Sequence, residues 1–120
     1  MRNKPSEEFL QDVITTALEG GIGYWAVAKI GKRGPDLEYI WTAIMEEECS
    51  SDKDNLGWQC LDADMILRGI DVVLAGKAEV NKNYLRTLEK AVVNSDACDV
   101  DAELADIVVQ AGFFGRVIYG

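Results

Sequence analysis

The sequence predicts a single domain, residues 1–120, of the α+β class: an N-terminal helix, a three-stranded antiparallel sheet, three further helices and a short C-terminal edge strand. Three observations predict it. The chain of 120 residues suits one hydrophobic core. Apolar residues recur at helical spacing near both ends, whereas aromatic and β-branched residues concentrate between them. Strands that are separated along the chain from most of the helices favour α+β over an alternating parallel architecture.

The first predicted helix has a clear start and a clear stop. Ser6 is placed to cap it, and Glu7 and Glu8 suit the positive end of the helix dipole. Gly20 and Gly21 are expected to end it, because glycine readily adopts the left-handed conformation found beyond a helix terminus. Its apolar stripe consists of Phe9, Leu10, Val13, Ile14, Ala17 and Leu18.

The strands are predicted from runs rich in aromatic and β-branched residues. Residues 22–30 form the first run, and the turn-forming residues 31–36 lead into the second, 37–47, so the two are expected to make a β-hairpin. A third short strand is expected over residues 58–61. Residues 116–119 are expected to add a short strand at the sheet edge.

Three further helices follow the predicted sheet. Asp62 stands where a cap belongs, and Gly76 marks the end of the helix that it starts. Another helix is expected over residues 80–93, where one side is apolar and the other charged. The last helix is expected to start near Asp99 or Asp101 and to end at Gly115.

The net charge argues against nucleic acids and membranes as direct partners. The chain has 21 acidic and 12 basic residues, a formal charge of −9, which repels phosphate backbones and anionic lipids. A plain interpretation is that this charge keeps a small protein soluble.

No apolar run approaches the roughly 20 residues of a membrane-spanning helix, and residues 1–8 are polar, so a cytoplasmic protein is expected. Three scattered cysteines are expected to remain thiols.

The absence of histidine excludes several kinds of catalytic and metal site. Histidine is the commonest general base and zinc ligand and the central member of serine and cysteine hydrolase triads. A zinc site made only of cysteines normally needs four, and the chain has three. The sequence therefore predicts no enzyme, no cofactor and no zinc.

Two sequence patterns resemble ligand sites but have simpler interpretations. Gly20, Gly21 and Gly23 follow a helix and precede a strand, whereas a phosphate-binding loop needs the reverse order, so a helix stop and turn is expected. Two Asp-x-Asp pairs fall at predicted helix starts and are interpreted as caps. Oxygen ligands also suit Mg²⁺ or Ca²⁺, although EF-hand spacing is absent. The pairs are Asp62 with Asp64 and Asp99 with Asp101.

An acidic segment follows the second predicted strand. Its plainer interpretation is a solvated loop, and its functional interpretation is a surface that docks on lysines and arginines of a partner protein. The residues assigned to that partner-binding surface are Glu46, Glu47, Glu48, Asp52 and Asp54.

The tryptophans are interpreted first as packing residues. Trp25, Trp41 and Trp58 fall one to each predicted strand, and large aromatic side chains dominate small cores. The alternative is a ligand site in which Tyr24, Trp25 and Trp41 stack on a planar molecule such as a nucleotide signal.

Two adjacent phenylalanines lie near the end of the last predicted helix. Phe113 and Phe114 are not expected to face one core together, because consecutive helical residues point about 100° apart. The one left outside is expected to support a homodimer.

Two segments carry a resemblance. Residues 15–26, TTALEGGIGYWA, and residues 105–111, ADIVVQA, together with Gly115 and the terminal Tyr119-Gly120, resemble small uncharacterised proteins of bacteriophages and bacterial mobile elements. The resemblance implies a genomic context, and it brings no catalytic or binding residue with it.

These observations together predict a non-enzymatic interaction protein. The leading hypothesis is a phage or mobile-element inhibitor that presents negative charge to the basic nucleic-acid groove of a host defence nuclease. One alternative is a protein that binds or sequesters a small ligand. Two others are a structural phage protein without a ligand and an enzyme that works with aspartates and a divalent ion.

Overall fold

The computed structural model describes residues 5–32, 38–44 and 59–119. Four α-helices and three strands are named here in chain order, with a π-helical turn after the first helix and a 3₁₀ turn before the last. They are α1 (Glu7–Thr16), the π-helical turn (Ala17–Gly21), β1 (Ala26–Lys32), β2 (Glu38–Ile44), β3 (Gln59–Leu61), α2 (Ala63–Leu74), α3 (Lys82–Asn94), the 3₁₀ turn (Ala97–Asp99) and α4 (Ala102–Phe114).

The described fold is mostly helical, which corrects the α+β prediction. The four α-helices contain 10, 12, 13 and 13 residues. Among the side chains whose burial is described, most of the buried apolar cluster comes from these helices and their connecting turns, together with Ala26 and Leu61 from β1 and β3. A fold built on a three-stranded antiparallel sheet is therefore wrong for this chain. The physical reason is that the apolar stripes of the helices bury one another without needing a sheet as a platform.

The strands pair through their backbones beside this helical body. β1 and β2 run antiparallel, with Ala26 opposite Ile44 at one end of the pair. β3 is also antiparallel to β2, with Cys60 opposite Trp41. The pairing of β3 with β2 positions the start of α2, which begins two residues after β3.

The centre of the core is the contact between α2 and α4. Two glycines lie where these helices cross. A Cβ atom on Gly69 would fall on the carbonyl oxygen of Val108, and one on Gly112 would lie 2.5 Å from the carbonyl oxygen of Met65. The two backbones thus approach so closely that no side chain fits between them, because an interior packed to crystal-like density has no spare volume.

The helix termini confirm the capping predictions. Ser6, Asp62 and Asp101 each accept a hydrogen bond from the backbone N–H three residues further on, at 3.2, 3.0 and 2.8 Å. Such bonds satisfy amide groups that have no partner within the helix. Gly76 and Gly115 have φ values of 76° and 71°, the left-handed conformation that glycine adopts without strain.

The first helical segment ends at Gly21, as predicted, but not for the predicted reason. Both glycines lie in the π-helical turn, and neither adopts the left-handed conformation. The reason is packing, because a Cβ atom on Gly21 would lie 2.7 Å from the carbonyl oxygen of Ala102 at the start of α4. The small residue therefore serves close contact with α4.

The predicted start of the first strand is also wrong. The backbone amides of Trp25 and Ala26 both donate to the carbonyl oxygen of Ile22, at 3.0 and 2.9 Å, so residues 22–25 form a turn. β1 begins only at Ala26. Ile22 and Trp25, which suggested a strand, are instead buried from within this turn, whereas Tyr24 is exposed.

The predicted C-terminal edge strand is absent, since residues 116–119 do not pair with β1, β2 or β3. This segment, called the C-terminal strap below, lies along α4. The backbone amides of Ile118 and Tyr119 donate to Oε1 of Gln110, at 2.8 and 2.7 Å. The strap satisfies its backbone through one side chain of α4 instead of through a sheet edge.

Candidate functional site

A buried carboxylate on α4 organises the candidate site. Asp106 is only 6% exposed, and both of its oxygens are hydrogen-bonded. Its Oδ1 accepts from Nε1 of Trp25 at 2.7 Å and from Nε2 of Gln110 at 2.9 Å, and its Oδ2 accepts from the hydroxyl of Tyr24 at 2.6 Å. Burial of a carboxylate is unfavourable unless donors replace its water shell, and three donors do so here.

The phenol of Tyr24 is held in its protonated form by this arrangement. Partial burial, the hydrogen bond to Asp106 and the negative charge of that carboxylate together raise the pKa of Tyr24 to about 12. The hydroxyl therefore remains a donor throughout the physiological pH range.

Gln110 lies one helical turn from Asp106 and is completely buried. Its amide nitrogen donates to Asp106 and, at 2.9 Å, to the carbonyl oxygen of Tyr119, while its oxygen accepts the two strap amides described above. One side chain thus joins the carboxylate on one side to the C-terminal strap on the other.

Trp25 lies beneath an aromatic cover. Its indole stacks on the ring of Tyr119, with centroids 5.4 Å apart and planes 9° apart. The rings of Phe113 and Phe114 lie 6.3 and 5.6 Å from it, so both phenylalanines contact one aromatic cluster, contrary to the sequence prediction. Both rings are half-buried, and the homodimer stays a prediction.

A groove of about 550 Å³ opens above Asp106. It is called the acidic groove here, because three carboxylates and three phenols line it and none of the described lining residues is a lysine or arginine. Its residues come from the π-helical turn and the turn that follows it, the segment that leads into α3 and the first turn of α3, α4 and the strap. The carboxylates are those of Glu79, Glu103 and Asp106, and the phenols are those of Tyr24, Tyr84 and Tyr119.

Tyr84 and Glu103 form a second bonded pair in the groove. The hydroxyl of Tyr84 donates to Oε2 of Glu103 at 2.6 Å and lies 3.4 Å from Oδ2 of Asp101. The hydrogen bond to Glu103 is the main reason that the pKa of Tyr84 rises to about 12. The pair ties α3 to the first turn of α4.

The chemistry of the acidic groove suits a cation. Carboxylates attract ammonium and guanidinium groups, and phenol rings add cation–π attraction when a cation lies over their faces. Phosphates and carboxylates of a ligand would instead meet like charge.

The structure places the site residues predicted from sequence in different positions relative to the groove. Tyr24 lines the acidic groove, whereas Trp25 is 3% exposed beneath it, with Tyr119 stacked on its ring. The backbone of Trp41 lies in β2, and its side chain is outside the described part. The acidic surface of Glu46, Glu47, Glu48, Asp52 and Asp54 also lies outside the described residues.

Sequence reasoning missed the two central polar residues. Asp106 and Gln110 are four residues apart in α4, whose other residues are apolar except for Glu103 in the first turn, so the two lie on one helical face. Two buried polar residues at this spacing in an apolar helix are the signal that would have pointed to an internal hydrogen-bond network.

The described ranges hold neither a membrane-spanning helix nor a metal-binding cluster. No helix in them is long and apolar enough to cross a bilayer. No group of three or more acidic, cysteine or histidine side chains is arranged there to hold a metal ion. Asp62 and Asp101 are instead occupied as helix caps.

Comparison of the chain with protein-family models, curated proteins and solved structures finds no match. A functional inference for this chain therefore depends on the geometry and charge of the acidic groove.

Proposed function

We propose that this chain is a non-enzymatic interaction protein that binds a basic protein partner, and that the acidic groove receives a lysine or arginine side chain of that partner. The observation that carries the proposal is the groove itself, which combines three carboxylates and three phenols without a basic residue among its described lining. A net charge of −9 adds long-range attraction for a positive surface.

The carboxylates have different parts in this proposal. Glu79 and Glu103 are exposed, so they meet the incoming cation first. Asp106 is buried beneath them and contributes negative potential at the floor of the groove. A guanidinium group suits this lining especially, since it bonds to carboxylates and stacks on phenol rings at the same time.

The proposed partner is a cytoplasmic protein whose basic surface otherwise holds nucleic acid, such as a host defence nuclease. Support comes from the net charge of −9, whereas the phage or mobile-element setting stays a prediction from the sequence. Occupation of such a surface by an acidic protein excludes the nucleic acid, because both compete for the same positive charges.

The test is an NMR titration of the labelled protein with N-acetyl-argininamide, using N-acetyl-glutaminamide as the uncharged control. We expect the arginine compound to shift the backbone amides of Tyr84 and Glu103, and we expect added salt to weaken its binding. Equal binding of the uncharged compound would refute the proposal.

A pair of substitutions separates the groove from net charge. Glu103→Gln removes one groove carboxylate and is expected to weaken binding about threefold, a typical effect of an exposed ion pair. Glu89→Gln makes the same change of charge on α3 outside the groove lining and is expected to leave affinity unchanged. Equal effects of the two substitutions would mean that the groove is not the binding site.

A small organic cation is the second candidate for the same groove. Its volume of about 550 Å³ falls within the range of small-molecule sites, roughly 300–1,000 Å³. The acidic lining favours a cation here over the nucleotide considered from sequence. Native mass spectrometry of the purified protein tests this candidate, with a retained cationic mass as the expected result and an unliganded mass as the refutation.

A further inference from the structure

We infer that Gln110 is a positioning residue that couples the C-terminal strap to the acidic groove, so that docking of the strap and binding of a cation stabilise each other. This inference rests on the proposed function, since it concerns the regulation of the same groove. It adds that one side chain sets the position of one wall of the groove.

The hydrogen bonds of Gln110 provide the first step. Its carboxamide bonds Asp106 at the floor of the groove and, at the same time, the backbone of Ile118 and Tyr119 in the strap. The side chain is completely buried, so with the strap in place the partners of its carboxamide come from the protein itself. The position of the strap is thus tied to the position of the carboxylate.

The strap forms part of the groove wall, which is the second step. Val117 and Tyr119 line the acidic groove. The ring of Tyr119 also stacks on Trp25, whose indole nitrogen bonds Asp106. A strap that leaves its place removes a phenol from the lining and admits water, and water screens the attraction between the carboxylates and a cation.

Linkage makes the coupling reciprocal. A cation that binds more tightly to the groove with its wall in place must also favour the docked strap. Bound N-acetyl-argininamide is therefore expected to slow hydrogen exchange of the backbone amides of Ile118 and Tyr119, which are the groups bonded to Gln110.

Two substitutions at position 118 test the coupling without altering the core. Ile118→Pro removes the N–H that bonds Gln110, and Ile118→Ala keeps it; the native side chain is 48% exposed. We expect the proline variant to lose exchange protection at Tyr119 and to bind N-acetyl-argininamide about fivefold more weakly, the loss of about one cation–π contact. The alanine variant is expected to behave as the wild type does.

Gln110→Met removes the carboxamide that accepts the hydrogen bonds of the strap amides, whereas Ile118→Pro removes one of the donors. It is expected to reproduce both effects of Ile118→Pro, and circular dichroism checks that the helices persist. Wild-type affinity in variants whose strap has lost protection would overturn the coupling. Failure of the wild-type protein to bind N-acetyl-argininamide would overturn the proposed function and the coupling together, so the two failures are distinguishable.

Discussion

The indole nitrogen of Trp25 donates a hydrogen bond to Oδ1 of Asp106 at 2.7 Å, joining positions 81 residues apart in the chain. Both side chains are buried. The bond fixes the turn that precedes β1 against the middle of α4, and it places the aromatic cluster beneath the acidic groove. Because the bond is buried, it stabilises the fold, and it also holds in place the residues that shape the groove.

Substitutions of Asp106 are expected to separate lost bonding from lost charge. Asp106→Ala leaves the indole N–H of Trp25 buried without its acceptor and is expected to lower the free energy of unfolding by about 3 kcal/mol. Asp106→Asn keeps an oxygen that accepts from the indole N–H of Trp25. Its NH₂ group would face the hydroxyl of Tyr24, which can accept a hydrogen bond as well as donate one. Its expected loss is about 1 kcal/mol. Urea unfolding measures both, and equal losses would contradict the role given to Trp25.

The close crossing of α2 and α4 predicts a severe effect at Gly69. Gly69→Ala puts a methyl group on the carbonyl oxygen of Val108 and is expected to lower the free energy of unfolding by about 3 kcal/mol. Gly23→Ala is the matched control, because its Cβ would meet nothing within 4 Å, and its effect is expected to stay within about 0.5 kcal/mol. Thermal unfolding of the two variants gives the comparison. Similar stabilities would mean that the helices are further apart.

The raised pKa of Tyr24 predicts that the folded protein loses stability at alkaline pH. The pKa of its phenol is about 12 in the folded chain against 10 for an unperturbed tyrosine, so the unfolded state loses its proton first. The contribution is fully present below pH 10 and is lost as the pH rises through about 12. The free energy of unfolding should therefore fall over this interval, and less steeply in Tyr24→Phe. Near-ultraviolet absorbance of phenolate follows the titration directly, and a wild-type titration identical to that of the unfolded chain would contradict the prediction.

The second Asp-x-Asp pair predicts unequal roles for its members. Asp101 caps α4 through the amide of Leu104, so Asp101→Ala is expected to lower the free energy of unfolding by about 1 kcal/mol. Asp99 lies in the preceding 3₁₀ turn and is exposed, so Asp99→Ala is expected to change stability by less than about 0.5 kcal/mol. Chemical denaturation of the two variants decides between this assignment and a helix that starts at Asp99.

Local features were predictable because they depend on near neighbours. The caps at Ser6, Asp62 and Asp101 and the stops at Gly76 and Gly115 follow from bonds and backbone angles within a few residues. The strand predicted to begin at residue 22 failed for the opposite reason. Trp25 is buried by Tyr119 and α4, a contact that no local pattern encodes.

The candidate site was only partly predictable. Tyr24 was proposed as a ligand-binding residue and does line the acidic groove. Its companions there, Tyr84 and Glu103, lie on predicted helices, Tyr84 on the side predicted to be apolar and Glu103 in a first turn, where an acidic residue is ordinary. Nothing in their spacing predicts that the two side chains meet.

What the sequence determined by itself is the set of helices, their capped ends and a strongly negative charge, because these depend on composition and on residues close together in the chain. What only the tertiary structure decided is the helical core in place of a sheet-based one, and the meeting of Asp106, Gln110 and the C-terminal strap at one groove. The hydrogen bonds of Asp106 to Tyr24 and Trp25 also join α4 to a turn 82 and 81 residues away in sequence. These bonds exist because a buried carboxylate must find its hydrogen-bond donors wherever the packed chain provides them.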